Sequence, residues 1–403
     1  MSMQTPRPGT AGEAACEPRL PERPRLVFYC QSSLGIGHTL RSVRLTDALT
    51  RYFDVHFVHG GTAIDALRWP RGIVVTQLPP LVADAEFSGL YTTGPAAVEA
   101  VLAQRRERLV AIVERFSPQV LLVEMYPFGR GAFGREIRPM LRAAKRRGAA
   151  IVCSLRDILV KKKRQEEYER KVVARLNQDF DLLLVHGDDR VFRLEDTFSR
   201  VDEIRIPVHY TGYVSAGSSG ISPEVARRGI VTSLGGGRFG HELAQAVVDA
   251  MPLITERVGE PVVLYTGPFC PVALQRRWRS QAAETSALRV EAFHPDFPRR
   301  LSRAALSISM AGYNTTMDVL AAGVPALLHP AANNGGMDQR LRVQRLAETG
   351  AVHVLEKEDL APCRLVRCIE QVLARRRAGA TPVMNLDGAR NSVALLARII
   401  GHS

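Results

Sequence analysis

Short apolar runs separated by amphipathic helical stretches recur along nearly the whole 403-residue chain, and this alternation limits the possible folds more than any other feature. Leu26–Cys30 (LVFYC), Val55–Val58, Ile73–Gln77, Val120–Glu124 (VLLVE), Ala150–Leu155 and Leu182–His186 are continuous apolar runs of strand length. Helical spacing predicts helices over Thr39–Tyr52, Val98–Phe116, Gly134–Arg147 and Val160–Asn177. A strand that is apolar throughout is buried on both faces, as happens when crossover helices cover a parallel sheet from both sides. The pattern breaks at Pro207–Pro223 (PVHYTGYVSAGSSGISP), rich in Gly, Ser and Pro, and then restarts. The second series comprises strands at Gly229–Ser233, Val262–Thr266, Leu306–Ser309 and Ala326–His329, with helices over His241–Thr255, up to Ala322, and Met337–Thr349.

The reading is therefore an α/β chain with two doubly wound domains, residues 25–208 and 225–403, joined by a hinge at 209–224. A last amphipathic stretch, Asn391–Ile400, is free to pack on either domain. Residues 1–24 are rich in Pro, Gly and Glu and lack an apolar segment of signal-peptide type, so a disordered leader is expected. With 46% hydrophobic and 24% charged residues the chain is neither disordered nor fibrous. No apolar run approaches the roughly 20 residues of a membrane span. The six cysteines form no C-x-x-C pair, and Cys30 and Cys153 sit inside strand-like runs, as expected of reduced thiols in a cytoplasmic protein.

Three glycine-containing segments follow strands. Ser33-Leu-Gly35-Ile-Gly37-His38-Thr-Leu-Arg41 places a histidine where a helix starts. Beside the positive end of the helix dipole an imidazole resists protonation and is available as a base; a helix-capping role is the plainer alternative. Two glycines, with no acid ending the second strand, do not make a dinucleotide fingerprint. Ser233-Leu-Gly235-Gly236-Gly237-Arg238 suits a backbone nest for phosphate with Arg238 as a bidentate partner, although no G-K-[ST] follows. The longest segment runs from Ser309 to Pro325 and continues from Ala331 to Gln339. Ala311, Gly312, Tyr313, Asn314 and Thr315 lie where a strand gives way to a helix whose first turn offers free N–H groups to an anion. Asp318, one turn on, is placed to accept hydrogen bonds from a ribose diol, and Asp338 and Gln339 to hold sugar hydroxyls.

Residues 306–351 resemble the donor-binding signature of GT-B nucleotide-sugar glycosyltransferases, most closely the MurG-like group. The matching pattern is S-x-x-G-x-x-T-x-x-[DE]-x-x-x-x-G-x-P, then D-Q, then a helix ending in Gly350-Ala351. The resemblance implies two Rossmann-like domains facing a central cleft, with the donor, a nucleotide diphosphate sugar of UDP type, on the second domain and the acceptor on the first. It implies a base stacking near Phe293 and His294, a diphosphate at Gly235–Gly237 and Gly312–Thr315, and a ribose at Asp318, where the family usually has Glu. The group's basic residue after the hinge strand is absent from Thr211-Gly-Tyr-Val-Ser, leaving Arg238 to substitute.

Ligands of doubly wound sheets bind beyond the strand carboxyl ends, so His38, Glu124 and Asp157 are expected to face one cleft, with His38 as base and Glu124 as runner-up. The expected activity is metal-independent, inverting glycosyl transfer, a hexosyltransferase reaction without cofactor, to a lipid-linked or small-molecule acceptor. A MurG-like nucleotide-sugar hydrolase shares the G-x-G-H-x-x-R loop, and a non-catalytic nucleotide-sugar binding protein is the third reading. The formal charge of +13 is concentrated: residues 101–175 carry 19 basic and 8 acidic groups. Such a segment attracts a phosphorylated acceptor or the anionic inner face of the membrane, unless it is simply a solvated helix face. Aromatic residues are only 6% and no base-stacking motif is evident, which disfavours nucleic acid.

Overall fold

The computed structural model describes residues 23–32, 37–64, 67–83, 89–92, 94–217, 227–294, 296–331, 336–375 and 384–401. The expected leader lies outside them but for its last two residues, as do Gly35 and part of the expected hinge, 218–224. The first sheet is built from β1 (Arg25–Cys30), β2 (Asp54–His59), β3 (Val74–Gln77), β6 (Val120–Glu124), β7 (Ala150–Arg156), β8 (Leu182–His186) and β9 (Val208–Tyr210). A small antiparallel hairpin, β4 (Leu81–Ala83) and β5 (Leu90–Thr92), stands apart from it. Strand order is β3-β2-β1-β6-β7-β8-β9, parallel throughout, with β1 inside the sheet in register with both neighbours (Phe28 opposite Phe57 and Leu122). The second sheet, also parallel, runs β12-β11-β10-β13-β14-β15. Its strands are β10 (Ile230–Ser233), β11 (Val262–Tyr265), β12 (Leu288–Glu291), β13 (Leu306–Met310), β14 (Ala326–His329) and β15 (His353–Val354).

Helices cover both faces because successive strand residues point to opposite sides. In β1, Leu26, Phe28 and Cys30 pack with Leu45 and Leu49 of α1 (Gly37–Leu49). Val27 and Tyr29 pack instead with α2 (Val98–Phe116) and α3 (Gly134–Arg146) through Leu109, Ile137 and Met140. α4 (Gln165–Asp179) completes this layer. The second domain repeats the plan with α5 (His241–Arg257), α6 (Val272–Ala282), α7 (Phe297–Arg303), α8 (Tyr313–Ala322), α9 (Met337–Glu348) and α10 (Pro362–Arg375).

Two local expectations change. α4 begins at Gln165 rather than Val160, because Lys161–Arg164 would set four cations on the positive end of the helix dipole, whereas Glu166 and Glu167 in its actual first turn are favoured there. Part of the expected hinge is ordered into the first sheet: Val208–Tyr210 is its edge strand, and the next residues hold the C-terminal segment. The Tyr213 N–H donates to Asn385 O at 2.8 Å, and the Gly388 N–H to Tyr213 O at 3.0 Å. This aims α11 (Gly388–Gly401) back across α1, and Leu396, fully buried, joins the core around Leu26 and Phe28. Cys30, Cys153 and Cys270 are buried free thiols.

Candidate active site

The carboxyl ends of both sheets border one cleft of about 1930 Å³. On the second-domain side β10 leads into the turn Gly235–Gly237. Gly235 and Gly237 have φ of 62° and 84°, a left-handed conformation that strains any residue with a Cβ. Gly267 backs the turn so closely that a Cβ there would collide with the Gly236 and Gly237 backbone. Beside the turn α8 begins: the Thr316 N–H makes the first intrahelical bond, to Gly312 O at 2.9 Å. The N–H groups of Tyr313, Asn314 and Thr315 therefore have no acceptor within the helix. Thr315 borders the cleft, as do Phe293, His294, Arg238 and Gln339. The Arg238 guanidinium lies 5.1 Å from the Phe269 ring centre. His294 Nδ1 accepts from the Asp296 N–H at 3.1 Å, and the Gln339 side chain accepts from the Ala331 N–H at 3.2 Å. Ala311 is fully buried, its N–H on His329 O, so only its place in the turn serves the cleft.

The first-domain side is made of side chains. His38, in the first turn of α1, borders the cleft and places Nδ1 2.6 Å from Glu124 Oε1. Arg41 Nη2 donates to the same oxygen at 2.5 Å, and Arg130 Nη2 stands 3.7 Å from Glu124 Oε2. Burial would raise the Glu124 pKa, but His38, Arg130 and Arg41 together hold it down at about 2. Glu124 is thus a carboxylate, which can only accept, so the His38 Nδ1 carries the proton and Nε2 keeps its lone pair. Burial, opposed by Glu124 and reinforced by Arg130 and Arg41, lowers the His38 pKa to about 4. At neutral pH the pair is a neutral imidazole on an ionised carboxylate, an arrangement able to take a proton at Nε2.

This arrangement corrects two expectations. Glu124 is fully buried and enclosed by His38, Arg41 and Arg130, so it orients the imidazole and does not face the cleft as a base of its own. Asp157 does not reach the cleft either. Its carboxylate takes both Arg342 Nε and Nη2, at 2.7 and 2.8 Å, in a buried ion pair between the domains. Further residues of the donor signature are also engaged across the domain boundary. Asp318 Oδ2 accepts from Arg44 Nη2 at 2.8 Å, and Asn314 Nδ2 donates to Gly37 O at 2.8 Å. The Tyr313 hydroxyl donates to His186 O and accepts from the Val214 N–H, both at 3.2 Å. The Arg41 and Arg342 guanidiniums lie over its ring, 5.4 and 5.3 Å from its centre. Asp338 meets Arg156 at 3.2 Å and Arg342 at 3.5 Å. Burial would raise its pKa, but these two arginines lower it.

The sequence reading missed Arg44, Arg156 and Arg342 as site-forming residues. Helical spacing held a signal for some of them: Arg41 and Arg44 follow His38 at steps of three, and Arg342 follows Asp338 at a step of four. Their partners lie on the other domain and have no local signature. The basic stretch is partly located: Arg130, Arg138, Arg156, Lys162, Lys171 and Arg175 border the cleft on the first-domain side. The Lys162 pKa is lowered by burial and by repulsion from Arg156 and Arg130. Among the described residues no group of three or more His, Cys, Asp or Glu is placed to hold a metal ion, and no helix is long and apolar enough to cross a membrane.

Two Rossmann-like domains closing on a shared cleft define the GT-B fold, and solved structures agree. MurG of Acinetobacter baumannii superimposes with a TM-score of 0.55 over 93% of this chain and 100% of its own, at 15% identity. The UDP-GlcNAc 2-epimerase of Methanocaldococcus jannaschii does so with 0.60 over 94% and 100%, at 12% identity. Residues 230–394 match the glycosyltransferase family 28 C-terminal domain. A UDP-N-acetylglucosamine–N-acetylmuramyl-(pentapeptide) pyrophosphoryl-undecaprenol N-acetylglucosamine transferase from an Exiguobacterium species is 30% identical over 171 residues, 41% of this chain and 46% of that protein. The chain spans about half or less of the length of the curated relatives it matches. The chain therefore has the GT-B fold, and its second domain is similar to the glycosyltransferase family 28 C-terminal domain.

Proposed function

We propose that the protein is an inverting, metal-independent glycosyltransferase that moves a sugar from a nucleotide diphosphate sugar, of UDP type, to a lipid-linked or small-molecule acceptor. The observation that carries this reading is the His38–Glu124 pair facing, across one cleft, the glycine turn and the open first turn of α8. In the proposed step an acceptor hydroxyl attacks the anomeric carbon and His38 Nε2 takes its proton, while ionised Glu124 stabilises the imidazolium. The C–O bond to the diphosphate breaks on the opposite face, giving inversion. Gly235–Gly237, the α8 N-terminus and Arg238 receive the developing negative charge, so the scheme requires no metal ion. Phe293 and His294 would border the base, Asp318 the ribose, and Asp338 and Gln339 the sugar. The cationic first-domain side would draw in a phosphorylated acceptor or an anionic membrane surface at the cytoplasmic face.

Fold alone does not choose the chemistry, since an epimerase and a transferase superimpose comparably. A second reading, hydrolysis with water as acceptor, is favoured by one observation: Arg41, part of the G-x-G-H-x-x-R loop, shares the Glu124 oxygen with His38. Pure protein incubated with a panel of nucleotide sugars, UDP-N-acetylglucosamine first, with and without acceptors, tests both readings. Acceptor-dependent release of nucleotide diphosphate supports transfer, and equal release without acceptor supports hydrolysis. Donor binding with no turnover under any condition contradicts both.

A further inference from the structure

Asp318 is the residue the donor signature offers to a ribose, yet its side chain is only 4% exposed, while that of Arg44, paired with it, is 19% exposed. Both border the cleft. A ribose entering the cleft therefore meets a guanidinium from the first domain together with the carboxylate of the second. One amino group of that guanidinium, Nη2, is bound to Asp318, while the other, Nη1, is buried without a protein partner. A buried N–H lacking an acceptor is costly, and a ribose hydroxyl oxygen is the kind of acceptor that would satisfy it. Asp318 carries a shorter arm than the Glu usual in this signature, and Arg44 Nη2 stands 2.8 Å from its carboxylate.

The position of Arg44 adds a second argument. His38, Arg41 and Arg44 follow one another at steps of three along α1, so they share a face of the helix. His38 and Arg44 are six residues apart, roughly 9 Å of helical rise. The helix is fixed to the second domain at both points: Gly37 O accepts from Asn314, and Arg44 donates to Asp318. A nucleotide that engages Arg44 thereby engages the helix that carries the proposed base.

We propose that Arg44 is a donor-positioning residue supplied by the first domain, donating to a ribose hydroxyl of the nucleotide while Asp318 accepts from the diol. The assignment rests on the donor reading above. Nucleotide occupancy, closure of the two domains and placement of His38 then become one event. The plain alternative is a latch that holds the domains together and never touches the nucleotide.

Calorimetric titration of the full chain with UDP, 2′-deoxy-UDP and 3′-deoxy-UDP separates the two. The native protein is expected to bind UDP about tenfold more tightly than at least one deoxy analogue. Arg44→Gln should weaken UDP by about the same factor and abolish the preference, and Arg44→Lys should restore part of it. Melting temperatures of both variants check that they fold. The assignment is overturned if Arg44→Gln leaves UDP affinity within about twofold of native, or weakens UDP and both analogues equally as a latch would. If the native protein binds none of UDP, GDP or ADP, the donor reading itself is overturned, a result distinct from either of these.

Discussion

Across the cleft the second domain presents backbone: glycines at 235–237, two of them with positive φ, and the open first turn of α8. The first domain presents polar side chains, the neutral His38 and the cations Arg130, Arg156 and Lys162, with Glu124 and Arg41 buried. Under the proposed function, the difference follows from what each side would hold. Backbone N–H groups bind a diphosphate at fixed positions and at little conformational cost, but they titrate nowhere in the accessible pH range. A proton acceptor must be a side chain, and its pKa has to be set by neighbours; Glu124, Arg41 and Arg130 do this for His38. Turnover and nucleotide affinity should therefore respond to different substitutions.

The largest expected effect is on the side-chain wall. His38→Ala should lower kcat by about 10²–10⁴ while UDP affinity, read by calorimetry, stays nearly unchanged. On the backbone wall the order reverses. Gly237→Ala sets a Cβ 2.8 Å from the Cys270 backbone nitrogen at a φ of 84°, so UDP affinity should fall, by about tenfold for a local strain of 1–2 kcal/mol. The two walls would not be separate in function if His38→Ala abolished UDP binding, or if Gly237→Ala slowed turnover at saturating donor and left affinity intact.

Between the walls the buried Asp157–Arg342 pair joins the domains. Arg342→Ala leaves an unpaired buried carboxylate and should cost about 3–5 kcal/mol of stability, visible as a lowered denaturation midpoint. A loss under about 1 kcal/mol would mean that the pair contributes little to holding the domains together.

A smaller effect concerns pH. His186 is fully buried between Ser154 and Thr211, and burial, then Arg41, lowers its pKa to about 3. His59 and His56 are lowered as well, by burial first. The unfolded chain then takes up protons that the folded chain refuses, so stability is fully present above about pH 6.5 and declines as pH falls below it. Denaturation midpoints constant from pH 7 to 5 would contradict these assignments.

Much of this architecture was legible in the sequence, for a physical reason. Strands buried on both faces and helices buried on one leave periodic traces, so the order of the main strands and helices could be read directly. The glycine turn at 235–237 and the α8 entry were readable as well, because backbone conformation demands particular residue types there. What depends on a distant partner was not readable. Val208–Tyr210 is too short to show a period, and only its pairing with β8 makes it an edge strand. Asp157 has the position of a catalytic residue and is captured by Arg342, 185 residues away. Arg44 carries no mark of its role until α1 and α8 are brought together.

The central claim is that the first domain holds a neutral imidazole whose free Nε2 faces the cleft. Nitrogen-15 NMR of histidine-labelled protein reads this directly, with His38→Ala identifying the resonance. At pH 7 Nδ1 is expected to be protonated and Nε2 bare, with the ring gaining its second proton only as pH falls toward about 4. A ring already doubly protonated at pH 7, or one carrying its single proton on Nε2, would contradict it.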